Sequence, residues 1–315
     1  FAEAYRRKAG AEARFEDMSR SLAPLARILL ALGLCWLSAC HAPGSGVGAT
    51  SRDGAPAEAA ELLRVMSFNI RYGTANDGEH AWPARRSRVA DRIREQRPDV
   101  LAIQEALDFQ LEELAPELEG YRKLGQHREG GLRGEYSGLY VLEERIQVLE
   151  SGEFWLSPQP EVVASRGWDA ALPRMAVRAE LQLRAGGPAV RVYGTHYDHR
   201  GAEARRQSSA LILRDAANAP CVIAMGDFNA VEDAAPIRAF LQAGWQSAVA
   251  LLRPEDTRGT FNGFQDPTGG RRIDHVLFRG VRPVHADILG GRVGELFPSD
   301  HDAVVASFAL TPRRD

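Results

Sequence analysis

Six short polar motifs recur along the 315-residue chain, and each contains an amide, carboxylate or imidazole side chain. Hydrolysis of a phosphate ester needs such groups, because a metal must neutralise the phosphoryl oxygens, a base must aim a water molecule and a donor must stabilise the developing charge. Hard cations such as Mg²⁺ prefer carboxylate and amide oxygens to thiolates. The motifs are Ser67-Phe68-Asn69, Gln104-Glu105, Thr195-His196-Tyr197-Asp198, Gly226-Asp227-Phe228-Asn229, Ile273-Asp274-His275 and Ser299-Asp300-His301.

An apolar run adjoins each motif, which is typical of buried strands with polar residues at their ends. The runs occupy residues 62–66, 100–103, 189–193, 221–225, 276–278 and 303–308. One charged residue at a strand end is unremarkable, but six motifs in one domain predict strand ends that converge on a polar cleft. Helices are predicted between the runs, and segments rich in Gly, Arg and Thr predict surface loops. The helices are expected at 84–96, 202–217 and 234–243, and the loops at 127–138 and 257–272.

The ordered set of motifs resembles the endonuclease/exonuclease/phosphatase superfamily over about residues 64–310. Each motif alone is a weak signal, whereas six in the right order are a strong one. The resemblance implies an α/β (α+β) fold, a four-layer αββα sandwich of two packed mixed sheets flanked by helices, with a cleft at one edge of the sheets. We therefore expect one catalytic domain over residues 62–311.

The resemblance also implies a divalent metal site. Glu105, with Asn69 beside it, resembles the principal metal site of the superfamily, and Asp300 resembles an additional carboxylate on the metal side. The expected cofactor is Mg²⁺ or Mn²⁺, which suits these oxygen ligands. Whether one or two metals bind stays open.

The remaining motif residues resemble catalytic groups. Asp227 and Asn229 resemble the pair that orients the attacking water and holds the phosphate, and His196 resembles a histidine that donates to a phosphoryl oxygen. His301 resembles the catalytic histidine, and Asp274 the carboxylate that polarises it, since a carboxylate on one ring nitrogen raises the basicity of the other. Either Asp227 or His301 could remove the proton of the water.

Two further residues are expected to bind substrate. Tyr136 lies in a segment where superfamily members place a tyrosine near the phosphate. Arg174 ends a stretch that resembles a secreted or lipoprotein bacterial branch, and its planar guanidinium could grip a phosphate. A structural ion pair is the rival interpretation of Arg174.

The pattern of the N-terminal segment is typical of a lipoprotein signal peptide. Residues 1–17 resemble an upstream extension, and residues 18–39 a signal peptide with a short apolar core at 28–37. Cys40 would then carry the lipid, and residues 40–61, rich in Ala, Gly, Ser and Pro, would form a flexible tether. We expect an exported protein anchored to the outer or plasma membrane of a bacterial cell envelope, with the outer membrane favoured.

Charge and cysteine content limit the alternatives. The formal net charge is −3 and the pI about 6.3, which disfavours a nucleic-acid partner without excluding it. The three cysteines provide no disulfide framework. We expect a monomer that hydrolyses a phosphodiester or a phosphomonoester. A metal-dependent nuclease, a sphingomyelinase-like phospholipase and, least favoured, a non-enzymatic binding protein are the alternatives.

Overall fold

The computed structural model describes residues 62–266 and 270–310. The predicted upstream extension, signal peptide, lipid anchor at Cys40 and tether, up to residue 61, lie outside the described residues. Within the two described ranges, no helix is both long and apolar enough to pass through a membrane.

The described residues form two mixed sheets of six strands each. The strands are β1 Leu62–Asn69, β2 Val100–Ala106, β3 Tyr121–Leu124, β4 Tyr136–Leu142, β5 Ile146–Trp155, β6 Met175–Leu183, β7 Val190–His196, β8 Val222–Asp227, β9 Gln246–Ser247, β10 Asp274–Arg279, β11 Arg282–Leu289 and β12 Ala303–Ala309. The first sheet has the order β11-β12-β1-β2-β4-β3, and the second has the order β5-β6-β7-β8-β10-β9.

Three apolar cores separate four layers. The helices are α1 Trp82–Gln96, α2 Asp108–Glu113, α3 Ala202–Asp215, α4 Ala235–Gln242 and α5 Ala248–Leu252. The central core joins the two sheets, for example Val65 of β1 and Val192 of β7. A second core packs the first sheet on α1 through Val89, and a third packs the second sheet on α3 and α4 through Ile212 and Phe240. This stack confirms the predicted αββα sandwich.

Two parallel strand pairs direct the polar motifs to one edge of the sandwich. β1 and β2 run parallel with Asn69 opposite Gln104, and β7 and β8 run parallel with His196 opposite Asp227. A helix links the strands of each pair, α1 in the first and α3 in the second, as a parallel crossover requires. β10 pairs antiparallel with β8 and brings Asp274 beside Asp227. The predicted convergence of strand ends is therefore confirmed.

The helices at 84–96, 202–217 and 234–243 form within two residues of their predicted ends. The predicted surface loop at 127–138 is wrong in part, because β4 begins at Tyr136 and the side chains of His127 and Arg128 are buried. The segment turns inward because Trp155 Nε1 donates to the Arg128 carbonyl over 2.8 Å. A glycine-rich composition predicts a loop but does not show which side of it faces the core.

Arg85 of α1 is a buried cation that ties the helix to the cleft edge. Its guanidinium donates to the carbonyl oxygens of His80, Ile70, Arg71 and Pro298, over 2.5 to 3.0 Å. Burial lowers the pKa of Arg85 to about 10, so the group stays charged at neutral pH. These bonds fix the chain directly after β1 and directly before the Ser299 motif.

We predict that Arg85→Met lowers the free energy of unfolding by about 3 kcal/mol, because it leaves buried carbonyls without donors. Urea unfolding followed by circular dichroism measures the change. The matched control is Arg86→Met, one residue along α1, where the side chain is exposed and pairs with Glu113. Its effect should stay below about 1 kcal/mol. Equal losses in the two variants would contradict the structural role of Arg85.

Candidate active site

A cleft of about 560 Å³ opens at the edge where the strand ends meet. Most of the predicted site residues line it, namely Glu105, Arg174, His196, Asp227, Asn229, Asp300 and His301. A slightly larger cavity of about 610 Å³ lies beside Phe154 and Trp168 and contains none of the predicted residues. The smaller cleft is the candidate active site because the titratable groups converge there.

Glu105 stands on a distortion of β2. The pairing with β4 shifts register between Ile103 and Ala106, and Glu105 adopts a left-handed φ of 64°. Such a φ is strained for a residue with a side chain, and strain of this kind concentrates at functional sites. The distortion presents the carboxylate to the cleft, where Oε1 accepts from Asn69 Nδ2 over 3.0 Å and Oε2 from the Tyr72 amide over 3.2 Å.

Asn69 contacts the carboxylates of Glu105 and Asp227 through its side-chain nitrogen. Its Oδ1 accepts from the Arg71 amide over 3.0 Å, which fixes the orientation of the side chain. Its Nδ2 donates to Glu105 and, over 3.2 Å, to Asp227 Oδ2. This position supports Glu105 and Asp227. The amide oxygen accepts one hydrogen bond and keeps a second lone pair, so the expectation that Asn69 belongs to the metal site stays a prediction.

Asp227 and Asn229 are held by the turn that follows β8. A side chain at Gly226, whose φ is 152°, would collide with the carbonyl of Thr195, so only glycine allows β8 to approach β7 this closely. The Asn229 amide donates to Asp227 Oδ1 over 2.8 Å, and Asn229 Nδ2 lies 3.2 Å from His196 Nε2. The motif thus gathers a carboxylate, an amide and an imidazole at one point.

Asp274 and His301 form a buried pair. His301 Nδ1 lies 2.8 Å from Asp274 Oδ2, so the ring donates to the carboxylate from this nitrogen. His301 Nε2 then faces Asp227, whose Oδ2 is 3.9 Å away. The predicted partnership of Asp274 with His301 has the geometry that orients a general acid or base.

Three buried carboxylates surround one imidazole. Burial disfavours a charged His301, but Asp274, Asp227 and Asp300 outweigh burial and raise its pKa well above the ordinary value. Burial and then the charge of Asp274 raise the pKa of Asp227 to about 7, and burial also raises that of Asp300. Negative charge is in excess here, which is costly in a buried site.

The donor set fits a hard divalent cation. Ligand atoms of Glu105, His196 and Asp227 lie within 4.8 Å of one another, as do those of Asp227, Asp274 and His301. Asp300 adds a further carboxylate on the same side of the cleft. Because these groups offer mainly carboxylate oxygen and carry surplus negative charge, a cation near Glu105 and Asp227 would relieve the repulsion.

The family model for the Endonuclease/Exonuclease/phosphatase family matches residues 66–301. The chain belongs to this family. The match spans all six polar motifs, so the family assignment and the geometry of the cleft rest on the same residues.

Solved structures of the family share the fold. One is an endonuclease/exonuclease/phosphatase from Bacteroides vulgatus, 29% identical, with a TM-score of 0.72 over 79% of this chain and 99% of that chain. A mannosyl-6-phosphatase from Bacteroides thetaiotaomicron is 28% identical, with a TM-score of 0.70 over 78% and 99%. The human Nocturnin catalytic domain with bound sulfate, 21% identical, shows likeness of fold alone, with a TM-score of 0.63 over 80% and 94%. A comparison with curated proteins gave no match.

Tyr136 of this family member does not reach the cleft. Its side chain is fully buried, and its hydroxyl oxygen lies 2.7 and 3.0 Å from the carbonyl oxygens of Leu124 and Leu139, which share its one proton. The expectation that Tyr136 touches substrate is therefore corrected. The ring fills space behind β4 because both carbonyls draw its hydroxyl inward.

Several cleft residues escaped the sequence reasoning. They come from the two segments predicted as surface loops, from the turn after β1 and from the first turn of α3: Arg71, Arg128, Glu135, Arg205, Phe261 and Arg271. The sequence feature that could have indicated them is the presence of arginines inside glycine-rich loops. Loops are usually exposed, however, and the spacing of these residues does not predict that their side chains face the cleft.

We predict that Asp274→Asn lowers the pKa of His301, because the change removes the charge that favours the imidazolium form. Nuclear magnetic resonance titration of the histidine rings measures this in the metal-free protein. The ring of His127, which lies beside Asp108 rather than Asp274, is the internal control and should titrate unchanged. A His301 titration that is the same in both proteins would contradict the pairing.

Proposed function

We propose that the protein is a divalent-metal-dependent phosphoesterase that hydrolyses a phosphodiester or phosphomonoester by attack of an activated water. The observation that carries the proposal is the line of groups from Asp274 through His301 to Asp227, which faces Glu105 across the cleft. Hydrolysis of a phosphate ester requires both a proton acceptor and a cation site, and the cleft juxtaposes them.

Glu105 and Asp300 would hold the metal, Mg²⁺ or Mn²⁺, with Asp227 nearby. When bound, the metal neutralises charge on the phosphoryl oxygens. Asn69 keeps Glu105 and Asp227 in place through its two hydrogen bonds. The strained backbone of Glu105 serves the same purpose, because it aims the carboxylate before any ligand arrives.

The protein groups around Asp227 position the water and handle its proton. Asp227 and His301 lie close enough to act together on the water, with Asp274 fixing the ring. Asn229 and His196 lie on the other side of Asp227, where they can donate to a phosphoryl oxygen. Such donors stabilise the charge that develops in the transition state.

We predict that Asp227→Ala and His301→Ala each reduce turnover of bis(p-nitrophenyl) phosphate and p-nitrophenyl phosphate by about 10³-fold or more, because the groups act as a unit on the water. Asp233→Ala and His285→Ala, both at exposed positions, are the matched controls and should keep full activity.

The same assay tests the metal. Chelation should abolish turnover by the unmodified protein, and Mg²⁺ or Mn²⁺ should restore it. Circular dichroism checks that each variant is folded. Undiminished turnover in both site variants, or full activity in the presence of a chelator, would contradict the proposed metal-dependent phosphoesterase.

A nuclease is the second candidate. Two arginines at the outer part of the cleft favour it, half-buried Arg205 and exposed Arg271, since guanidinium groups beside a phosphoesterase site can bind a nucleic-acid backbone. The assay panel therefore includes DNA. Cleavage that falls steeply with added salt would support the nuclease, because phosphate contacts release counterions.

We also propose that the domain is exported and anchored by lipid at Cys40, from the signal-peptide pattern that precedes this residue. Labelled palmitate should enter the unmodified protein and not Cys40→Ser when both are expressed in a Gram-negative host. Equal labelling would refute the anchor while leaving the enzymatic proposal intact.

A further inference from the structure

Two buried arginines lie at the inner side of the candidate active site. Arg174, directly before β6, is 4% exposed, and Arg128, in the segment after β3, is 7% exposed. Both line the same cleft as Asp227 and His301. A buried guanidinium is costly unless it is paired and hydrogen-bonded, so two in one cavity need a physical reason.

The guanidinium groups retain unused donors. Nε and Nη1 of Arg174 and Nε of Arg128 are buried and have no hydrogen-bond partner among the described residues. Arg174 Nη2 lies 3.3 Å from His199 Nδ1, and Arg128 Nη1 donates to Glu135 over 2.5 Å. Buried donors in folded proteins are nearly always satisfied, so three unpaired donors on two residues that line the same cleft point to an acceptor that binds between them.

The nearest carboxylate does not satisfy Arg174. Asp198 Oδ2 is 3.8 Å from Arg174 Nε, too far for a hydrogen bond. Both oxygens of Asp198 instead accept from backbone amides, those of Ala171, Leu172, Arg200 and Gly201. Arg174 and Asp198 thus form a close ion pair without a hydrogen bond, and Nε and Nη1 of Arg174 remain without a hydrogen-bond partner.

The positive charge extends to the catalytic groups. Burial and then the charge of Arg128 lower the pKa of Arg174, which shows that the two guanidiniums repel each other. Burial, then Arg174 and then Arg128 lower the pKa of His196, whose Nε2 is 3.4 Å from Asp227 Oδ2. An anion seated between the arginines and His196 would relieve this repulsion and would lie next to Asp227.

We infer that Arg128 and Arg174 bind the terminal oxygens of a dianionic phosphate, which makes the substrate a phosphomonoester; this inference rests on the proposed phosphoesterase function. A monoester offers three terminal oxygens and two negative charges to the three open donors. A diester offers one charge, and its second organic group would have to pass the buried arginines. Planar guanidinium forks suit such oxygens better than lysine would.

The reaction is then hydrolysis to orthophosphate and an alcohol. The water oxygen forms a new bond to phosphorus while the bond from phosphorus to the ester oxygen breaks. One proton of the water passes to the Asp227 and His301 pair, which later releases it to solvent, and the departing ester oxygen takes one proton from solvent to become the alcohol. The arginines hold the three terminal oxygens throughout and neither gain nor lose a proton.

The test compares p-nitrophenyl phosphate with bis(p-nitrophenyl) phosphate in the unmodified protein, Arg128→Gln, Arg174→Gln and the exposed control Arg238→Gln. Each variant is scored by the ratio of its kcat/KM to that of the unmodified protein, so the different reactivities of the two esters cancel. We expect a loss of about 10- to 100-fold on the monoester, the size of a lost bond to a charged group, and less than about threefold on the diester. Arg238→Gln should change neither.

Inorganic phosphate provides a second measurement that does not depend on turnover. Titration calorimetry should show weaker phosphate binding by about the same factor in the glutamine variants. Arg174→Lys keeps the charge but not the planar fork, so its phosphate affinity should lie between those of the unmodified protein and Arg174→Gln. This variant also serves as the test if Arg174→Gln does not fold.

The results distinguish failure of the arginine-binding inference from failure of the proposed phosphoesterase function. Equal losses on both esters, or unchanged phosphate affinity in the variants, would overturn the role of the arginines. A diester preference in the unmodified protein would overturn the monoester assignment. If neither ester is hydrolysed, the proposed function fails, and phosphate binding that depends on Arg128 and Arg174 would still establish the anion site.

Discussion

The side-chain amide of Asn69 joins the two sheets at the one edge where both end in polar groups. One hydrogen bond reaches Glu105 in its own sheet, and the other reaches Asp227 in the opposite sheet. Backbone pairing sets positions within a sheet, but between sheets the packing is apolar and non-directional. The distance between the Glu105 and Asp227 carboxylates therefore depends on this amide and on the Arg71 amide that fixes it.

Acidic and basic side chains occupy different parts of the cleft. Asp227, Asp274 and Asp300 surround the His301 imidazole, and Arg71 lies 3.6 Å from Asp300. Arg128 and Arg174 repel each other elsewhere in the cleft, although Glu135 pairs with Arg128. Any charge that these pairs leave uncompensated is costly in a buried site. A cation and an anion together relieve both sides at once. This is the electrostatic complement of a metal with a phosphate ester.

The sequence was enough to predict the fold and the convergence of the motif residues on one cleft, because strand ends converge wherever parallel pairs share a sheet edge. Asp274 and His301 meet as expected, since β10 pairs with β8 in a register that apolar side chains dictate. The prediction that Tyr136 contacts substrate was wrong because a tyrosine can face either side of a strand. Its hydroxyl instead lies within hydrogen-bond distance of two carbonyl oxygens in the protein interior. No periodicity encodes that choice. The position of Arg128 in the cleft was not predicted for a similar reason, because composition indicates a loop but not which of its side chains face the protein interior.

Two residues of the candidate site adopt a strained backbone conformation. Glu105 and Asn229 both adopt left-handed backbone conformations, at φ 64° and 47°, and both belong to the motifs rather than to the scaffold. Each such conformation costs of order 1 kcal/mol and persists only where the surroundings determine it. Here the surroundings are the paired strands and the buried guanidinium of Arg85, which holds the chain after β1. The stability of the sandwich thus sustains local geometry that the motif residues would not adopt by themselves, and it places their functional atoms before any ligand binds.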